Sequence, residues 1–193
     1  MDAEPVVRAA VARAFFETVK STEPSLLTQL AAVGTVDIFE AIDETAHEGW
    51  VPLRRHSQLN DAALQIIGVR AFRAVWRGAM LRLCEESTLK PLFDGAIRLF
   101  GRTPDGLIKI GPRAWSQLLR AAGEIVLDPA QASGLACVRL VGLPADVFAG
   151  GSFVEALAGC FEAFSDLCDV KGEVAITRRI PAEGSAVYVL SWC

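Results

Sequence analysis

The chain has 193 residues, 52% of them hydrophobic, enough for one sizeable core, since a domain near this length buries roughly 70% of the surface its unfolded chain exposes. A formal charge of −4 and a pI near 5.3 weigh against a nucleic-acid binder, because phosphate contacts require a surplus of Lys and Arg. The acidic start Met1-Asp-Ala-Glu-Pro5 lacks the features of a signal peptide, and no apolar run approaches the ~18 residues of a membrane span. The five scattered cysteines suit buried, reduced thiols, so the expectation is a cytoplasmic protein.

Glu4 to Lys20 sets Val7, Val11, Ala14, Phe15 and Val19 at helical spacing, with Pro5 suited to a first turn, which predicts the first helix. Thr22-Glu-Pro24 then starts a second, carrying Leu26, Leu27, Leu30 and Val33 to a stop at Gly34. Thr35 caps a third, with Val36, Phe39, Ile42 and Ala46 on one side, acids on another, and Gly49 as its end. From Pro52 the stripe Leu53, Leu59, Ala63, Leu64 and Ile67 predicts a helix stopping near Gly68, and Val69 to Cys84 predicts another abutting it. Ser87 opens a segment through Phe100, Gly101 to Gly106 reads as a loop, and Pro112 starts a helix ending at Gly123 with Trp115, Leu118, Leu119 and Ala122 on one face.

The last third changes character. Glu124-Ile-Val-Leu127 and Leu135 to Val141 read as two strands, and Phe153, Leu157, Cys160, Phe161, Phe164 and Cys168 form the apolar stripe of a helix from Ser152, off which Glu155 and Glu162 fall. Glu173 to Ile180 and Ala186 to Trp192 then flank the turn Pro181-Ala-Glu-Gly184. The predicted fold class is α+β: a helical subdomain over 1–122 packed on a β-β-α-β-β subdomain over 123–193, with a small antiparallel-containing sheet and one compact unit overall.

Motifs of catalysis are missing from this pattern. His47 and His56 are the chain's two histidines, neither in a ligand pattern, and both read as structural or surface residues. No cysteine pair has zinc-knuckle spacing, so no metal is expected. Gly150-Gly-Ser152 could offer N–H groups to an anion, but it lacks the further glycines or Lys of a nucleotide loop and reads as a capped helix start. No acid, base and nucleophile can be assigned to one site, so the sequence leans away from an enzyme and supports no cofactor. Charge, by contrast, is segregated. Residues 54–82 hold six arginines against one acid, Asp61, and residues 37–48 hold five acids and no Lys or Arg. Two solvated faces or an internal ion-pair set would explain this. So would a docking surface for a protein partner or a second copy, with Arg70, Arg73, Trp76 and Arg77 on one stripe and Asp37, Glu40 and Glu44 on the other.

Val11-Ala-Arg-Ala-Phe-Phe16, Gly49-Trp-Val-Pro-Leu53 leading into Ile66-Ile-Gly-Val-Arg-Ala-Phe72, and Val187-Tyr-Val-Leu-Ser-Trp192 resemble an uncharacterised paralogous family of myxobacteria. That family is similar to the superfamily of haem–nitric-oxide-binding and 4-vinyl-reductase-like domains, where a helical part packs on a small sheet. The resemblance implies a ligand cavity between helices and sheet, here with an apolar lining that includes Trp115, Leu119, Phe161 and Phe164. It departs at the residues that hold haem in those domains. Gly101 to Gly123 contains no histidine, and Tyr188-Val-Leu-Ser191 lacks the arginine of their Tyr-x-Ser-x-Arg pattern. The expectation is therefore that fold without haem and without the cysteine arrangement of the reductase-like members. Two functions remain: a non-enzymatic regulatory module acting through protein contacts, possible as a homodimer and gated by a small apolar ligand, or a small-molecule, non-haem sensor proper.

Overall fold

The computed structural model describes residues 3–86, 89–128 and 133–193. The chain opens not with a helix at Glu4 but with a strand, β1 (Val6–Arg8), and only then enters α1 (Ala9–Thr22). The β-branched Val6-Val7 pair explains the change, because it is laddered on both sides: Val7 lies opposite Val51 in β2 (Trp50–Pro52) and opposite Leu119 in β3 (Leu119–Arg120). The resulting three-stranded sheet, order β2-β1-β3, is a tertiary product of segments far apart in sequence. Between β1 and β2 lie α2 (Pro24–Ala32) and α3 (Val36–Glu44), where Thr35 does not cap α3 but turns its hydroxyl back to the Leu30 carbonyl at 2.8 Å. Arg13 reaches over from α1 and donates to the carbonyls of Ile42, Asp43 and Thr45, closing the open end of α3.

After β2 comes α4 (Leu53–Glu85), broken at Gly68 with φ 73° and ψ 167°. Only glycine occupies that backbone region at low cost, and the two abutting helices expected from the sequence are its two halves. Then follow α5 (Lys90–Phe100), α6 (Pro104–Lys109) and α7 (Gly111–Leu118). The Ser87 start expected for α5 lies outside the described residues. The loop expected over Gly101–Gly106 is shorter than its glycines suggest, because the Thr103 hydroxyl accepts from the Gly106 N–H at 3.2 Å and caps α6.

The final third has the expected β-β-α-β-β order. Strands β4 (Glu124–Leu127), β5 (Leu135–Val141), β6 (Gly172–Ile180) and β7 (Ser185–Trp192) form a four-stranded antiparallel sheet in the order β4-β5-β7-β6, with short α8 (Ala145–Ala149) and long α9 (Ser152–Cys168) between β5 and β6. Ala186, Tyr188 and Leu190 of β7 are buried on one face, and the Tyr188 hydroxyl donates to the Val154 carbonyl of α9 at 3.2 Å. On its other side α9 packs on α4 so closely that a Cβ on Gly159 would lie 2.5 Å from the Arg73 carbonyl oxygen. Buried side chains of the helical part and of the sheet part join in one core. Among the described residues no helix is long and apolar enough to cross a membrane.

Candidate functional site

The junction of the two parts forms a cavity of about 100 Å³. Val7 of β1 and Val11 of α1 close one side; Ala114, Trp115 and Leu118 of α7 with Leu119 of β3 close another; Ile125 of β4 and Phe153, Phe161 and Phe164 of α9 complete the apolar wall. All four side chains expected to line a pocket, Trp115, Leu119, Phe161 and Phe164, meet here. Their rings are fixed by packing: Trp115 stands edge-on to Phe153 at 5.9 Å and donates its Nε1–H to the Gly123 carbonyl at 2.9 Å, while Phe161 stands edge-on to Tyr188 at 5.2 Å.

The remaining wall is α4 on both sides of its break, with His56 and Asn60 before Gly68 and Trp76, Met80 and Leu83 after it. His56 and Asn60 are 2% and 0% exposed, so the helix turns a polar pair inward. Asn60 Nδ2 lies 3.2 Å from His56 Nδ1, and the imidazole stands edge-on to Trp76 with centroids 5.7 Å apart. Burial lowers the His56 pKa to about 4, so the ring is neutral near pH 7. His56 Nε2, Asn60 Oδ1 and Trp76 Nε1 are buried without a hydrogen-bond partner among the described residues. A signal for this pair did exist in the sequence. His56 and Asn60 occupy positions of the stripe that runs from Leu53 through Ala63 to Ile67, where a helix facing a purely apolar core would carry hydrophobic residues.

The charged stripes lie elsewhere. Trp76, expected at a docking surface, is 3% exposed and belongs to the cavity wall. Arg73 donates from Nε to Glu155 Oε2 at 2.6 Å and from Nη1 to Glu162 Oε1 at 3.4 Å, and Arg77 holds Asp166 through two nitrogens. Glu155, expected to fall away from the apolar stripe of α9, is instead 6% exposed and is gripped from its other side by Arg179 of β6. Arg70 is exposed, as are Asp37, Glu40 and Glu44 on α3. Among the described residues none of those three acids forms an ion pair. At the entry to α9 the anion beside Gly150-Gly-Ser152 is the chain's own: the Asp61 carboxylate packs against Gly150, and burial raises its pKa, an effect that the neighbouring Ser152 partly offsets.

Burial also pushes the cavity thiol Cys160 up to about 12 and raises Cys84, which leaves both as protonated, unreactive wall and core groups. No group of His, Cys, Asp and Glu among the described residues could hold a metal ion.

No family model matches the sequence, and no curated protein matches it. Solved structures do. The chain superposes on a Cs H-NOX domain with TM-score 0.65 and 11% identity, over 96% of each chain. On an oxygen-binding H-NOX domain related to soluble guanylate cyclases it gives TM-score 0.61 and 12% identity, over 96% of this chain and 94% of that one. A T. tengcongensis H-NOX gives 0.60 and 12%, over 94% of each. The architecture is that of H-NOX domains, and the expected resemblance to haem–nitric-oxide-binding domains holds at the level of the fold.

The residues present do not fit haem. The cavity's volume of about 100 Å³ lies far below the roughly 300–1,000 Å³ of sites that hold drug-sized ligands, and a haem requires a site within that range. His56 could donate to a metal chemically, but no Lys, Arg or Tyr lines the cavity to hold propionates, and Tyr188 is occupied by the Val154 carbonyl.

Proposed function

We propose that this chain is a small-molecule sensing module whose ligand, not a haem, enters the cavity between the helical part and the sheet and is reported by protein contact. The observation that carries the reading is an apolar cavity at the junction of the helical part and the sheet, bordered by the buried side chains of His56 and Asn60, within an H-NOX fold.

Xenon under pressure tests the cavity itself, because dry apolar cavities take up xenon. Wall methyl resonances of Val11 and Leu118 are expected to shift saturably, and an Ala156→Leu variant, which fills the space, is expected to abolish the shift. Absence of any xenon response in the native chain overturns the proposal. Hemin titration followed by absorbance is expected to show no stoichiometric complex; a one-to-one complex lost in His56→Leu would restore a haem sensor.

For the output, the acids Asp37, Glu40 and Glu44, exposed and without an ion pair among the described residues, favour α3 as the contact face, with Arg70 of a second copy as the complementary charge. Sedimentation of the chain is expected to show a dimer that Glu40→Lys plus Glu44→Lys weakens; a monomer at every concentration removes the homodimer from this reading.

A further inference from the structure

The end of α5, with α6 and α7, builds a surface that the cavity does not use. Seven consecutive residues, from Ile97 to Thr103, are exposed, and three of them, Ile97, Leu99 and Phe100, are large and apolar, with Leu99 at 78% exposure. Large hydrophobic side chains exposed singly are ordinary, as Val33 and Val69 are here, but a cluster of them at one turn marks a surface that meets something. A Cβ on Gly95 or on Gly101 would meet nothing within 4 Å, so no other part of the chain lies over either position.

The same face is cationic in a chain whose formal charge is −4. Residues 90–120 hold Lys90, Arg98, Arg102, Lys109, Arg113 and Arg120 against two acids, Asp94 and Asp105. Lys90 pairs with Asp94 at 3.3 Å, whereas Arg98, Arg102, Lys109 and Arg113 are exposed and form no ion pair among the described residues. Apolar and cationic groups meet on this surface. Leu92, Leu99 and Phe100 of α5 line the same open groove as Lys109 and Arg113, and Lys109 Nζ lies 5.1 Å from the centre of the Phe100 ring.

An apolar tip ringed by cations calls for a partner that is anionic and also takes up hydrocarbon. An acidic bilayer surface supplies both: the boundary between headgroups and acyl chains receives a projecting Leu or Phe without a matching pocket, and the headgroups meet Lys and Arg in no fixed array. A protein partner would instead need a packed pocket shaped to Leu99, because interface anchors bind in such pockets. We propose that this face docks the protein on an anionic membrane surface, with Leu99 and Phe100 entering the headgroup boundary and Arg98, Arg102, Lys109 and Arg113 meeting the acidic headgroups. The site goes beyond the sensing reading and stands apart from it, since α7 turns Trp115 and Leu118 to the cavity and Arg113 to this face.

The test is co-sedimentation of the full chain with vesicles of phosphatidylcholine alone and of phosphatidylcholine with about 30% phosphatidylserine. Partition onto the anionic vesicles is expected to be at least about tenfold stronger, and to fall at least about fivefold between roughly 0.1 M and 0.5 M salt. Leu99→Ser plus Phe100→Ser, which leaves the charge unchanged, is expected to weaken that partition at least about tenfold. Arg98→Glu plus Arg102→Glu is expected to abolish the preference for phosphatidylserine. Should either variant fail to fold, the two vesicle compositions and the salt series on the native chain decide alone. Glycerophosphoserine, the free headgroup, is expected not to compete; loss of vesicle binding in its presence would mean an ion site and overturn the membrane face. Equal partition onto both vesicles, no partition, or native partition in either folded variant also overturns it. A chain that ignores vesicles but is retained by an immobilised acidic amphipathic peptide has a protein-docking face instead, and the membrane proposal falls. Each of these failures leaves the xenon test of the cavity untouched.

Discussion

His56 is a base that the fold keeps uncharged, and this has a sign. Its pKa falls from 6.5 to about 4 on folding through loss of solvation, so between those values the unfolded chain binds a proton that the folded chain does not. Stability contributed by the neutral ring is complete above pH 6.5 and is lost as pH falls toward 4, by about 3 kcal/mol in all. Denaturant unfolding of the native chain and of His56→Leu between pH 7.5 and 4.5 is expected to show a steeper loss in the native chain; parallel profiles would contradict a buried neutral imidazole. Glu155 presents the opposite problem, a buried charge held by Arg73 and Arg179. Glu155→Ala leaves two guanidiniums facing each other and is expected to cost about 3 kcal/mol. Arg179→Ala, at a side chain 40% exposed, is expected to cost less than about 1 kcal/mol. Equal losses in the two variants would mean that the cluster behaves as a surface pair. The inward turn of His56 was legible from its place on an apolar stripe, but that of Glu155 was not, because whether a polar group on a helix faces core or solvent is settled by what packs against that helix.

At the level of elements, the long central pair is set by two glycines acting for different reasons. Gly68 has nothing within 4 Å of a would-be Cβ, so Gly68→Ala acts through backbone conformation alone and is expected to cost about 1–3 kcal/mol. Gly159 is helical, but its Cβ would also meet Trp76 Cβ at 3.0 Å, so Gly159→Ala acts through collision. Both variants are expected to unfold at lower denaturant, and only Gly159→Ala is expected to shift Trp76 and reduce xenon uptake. A Gly159→Ala chain as stable as the native one would mean that α4 and α9 lie further apart. Elements whose own period is strong were legible: α9, the hairpin of β6 and β7, and the two halves of α4 follow from apolar spacing and one glycine. The three short strands β1, β2 and β3 were not. Two or three residues carry no period, and these strands exist because each supplies the other's hydrogen bonds across the fold.

For the molecule as a whole, the α+β class and the meeting of apolar side chains at the junction could be anticipated because hydrophobic stripes on α7 and α9 must face something, and the sheet leaves a junction for them to meet. The edge-on contact of His56 with Trp76 could not, since it forms only when the two halves of α4 fold back on each other across Gly68. The amino-terminal strand β1 adds a practical consequence. It is the middle strand of its sheet, its Val7 forms part of the cavity wall, and its Arg8 lies over the Trp50 ring at 4.2 Å, as Arg120 does at 4.1 Å. Trimming the chain to begin at Ala9 would therefore do more than shorten a tail. It would unseat both edge strands, strip a cation from the face of Trp50, and open the cavity to solvent from a side that no α9 variant touches.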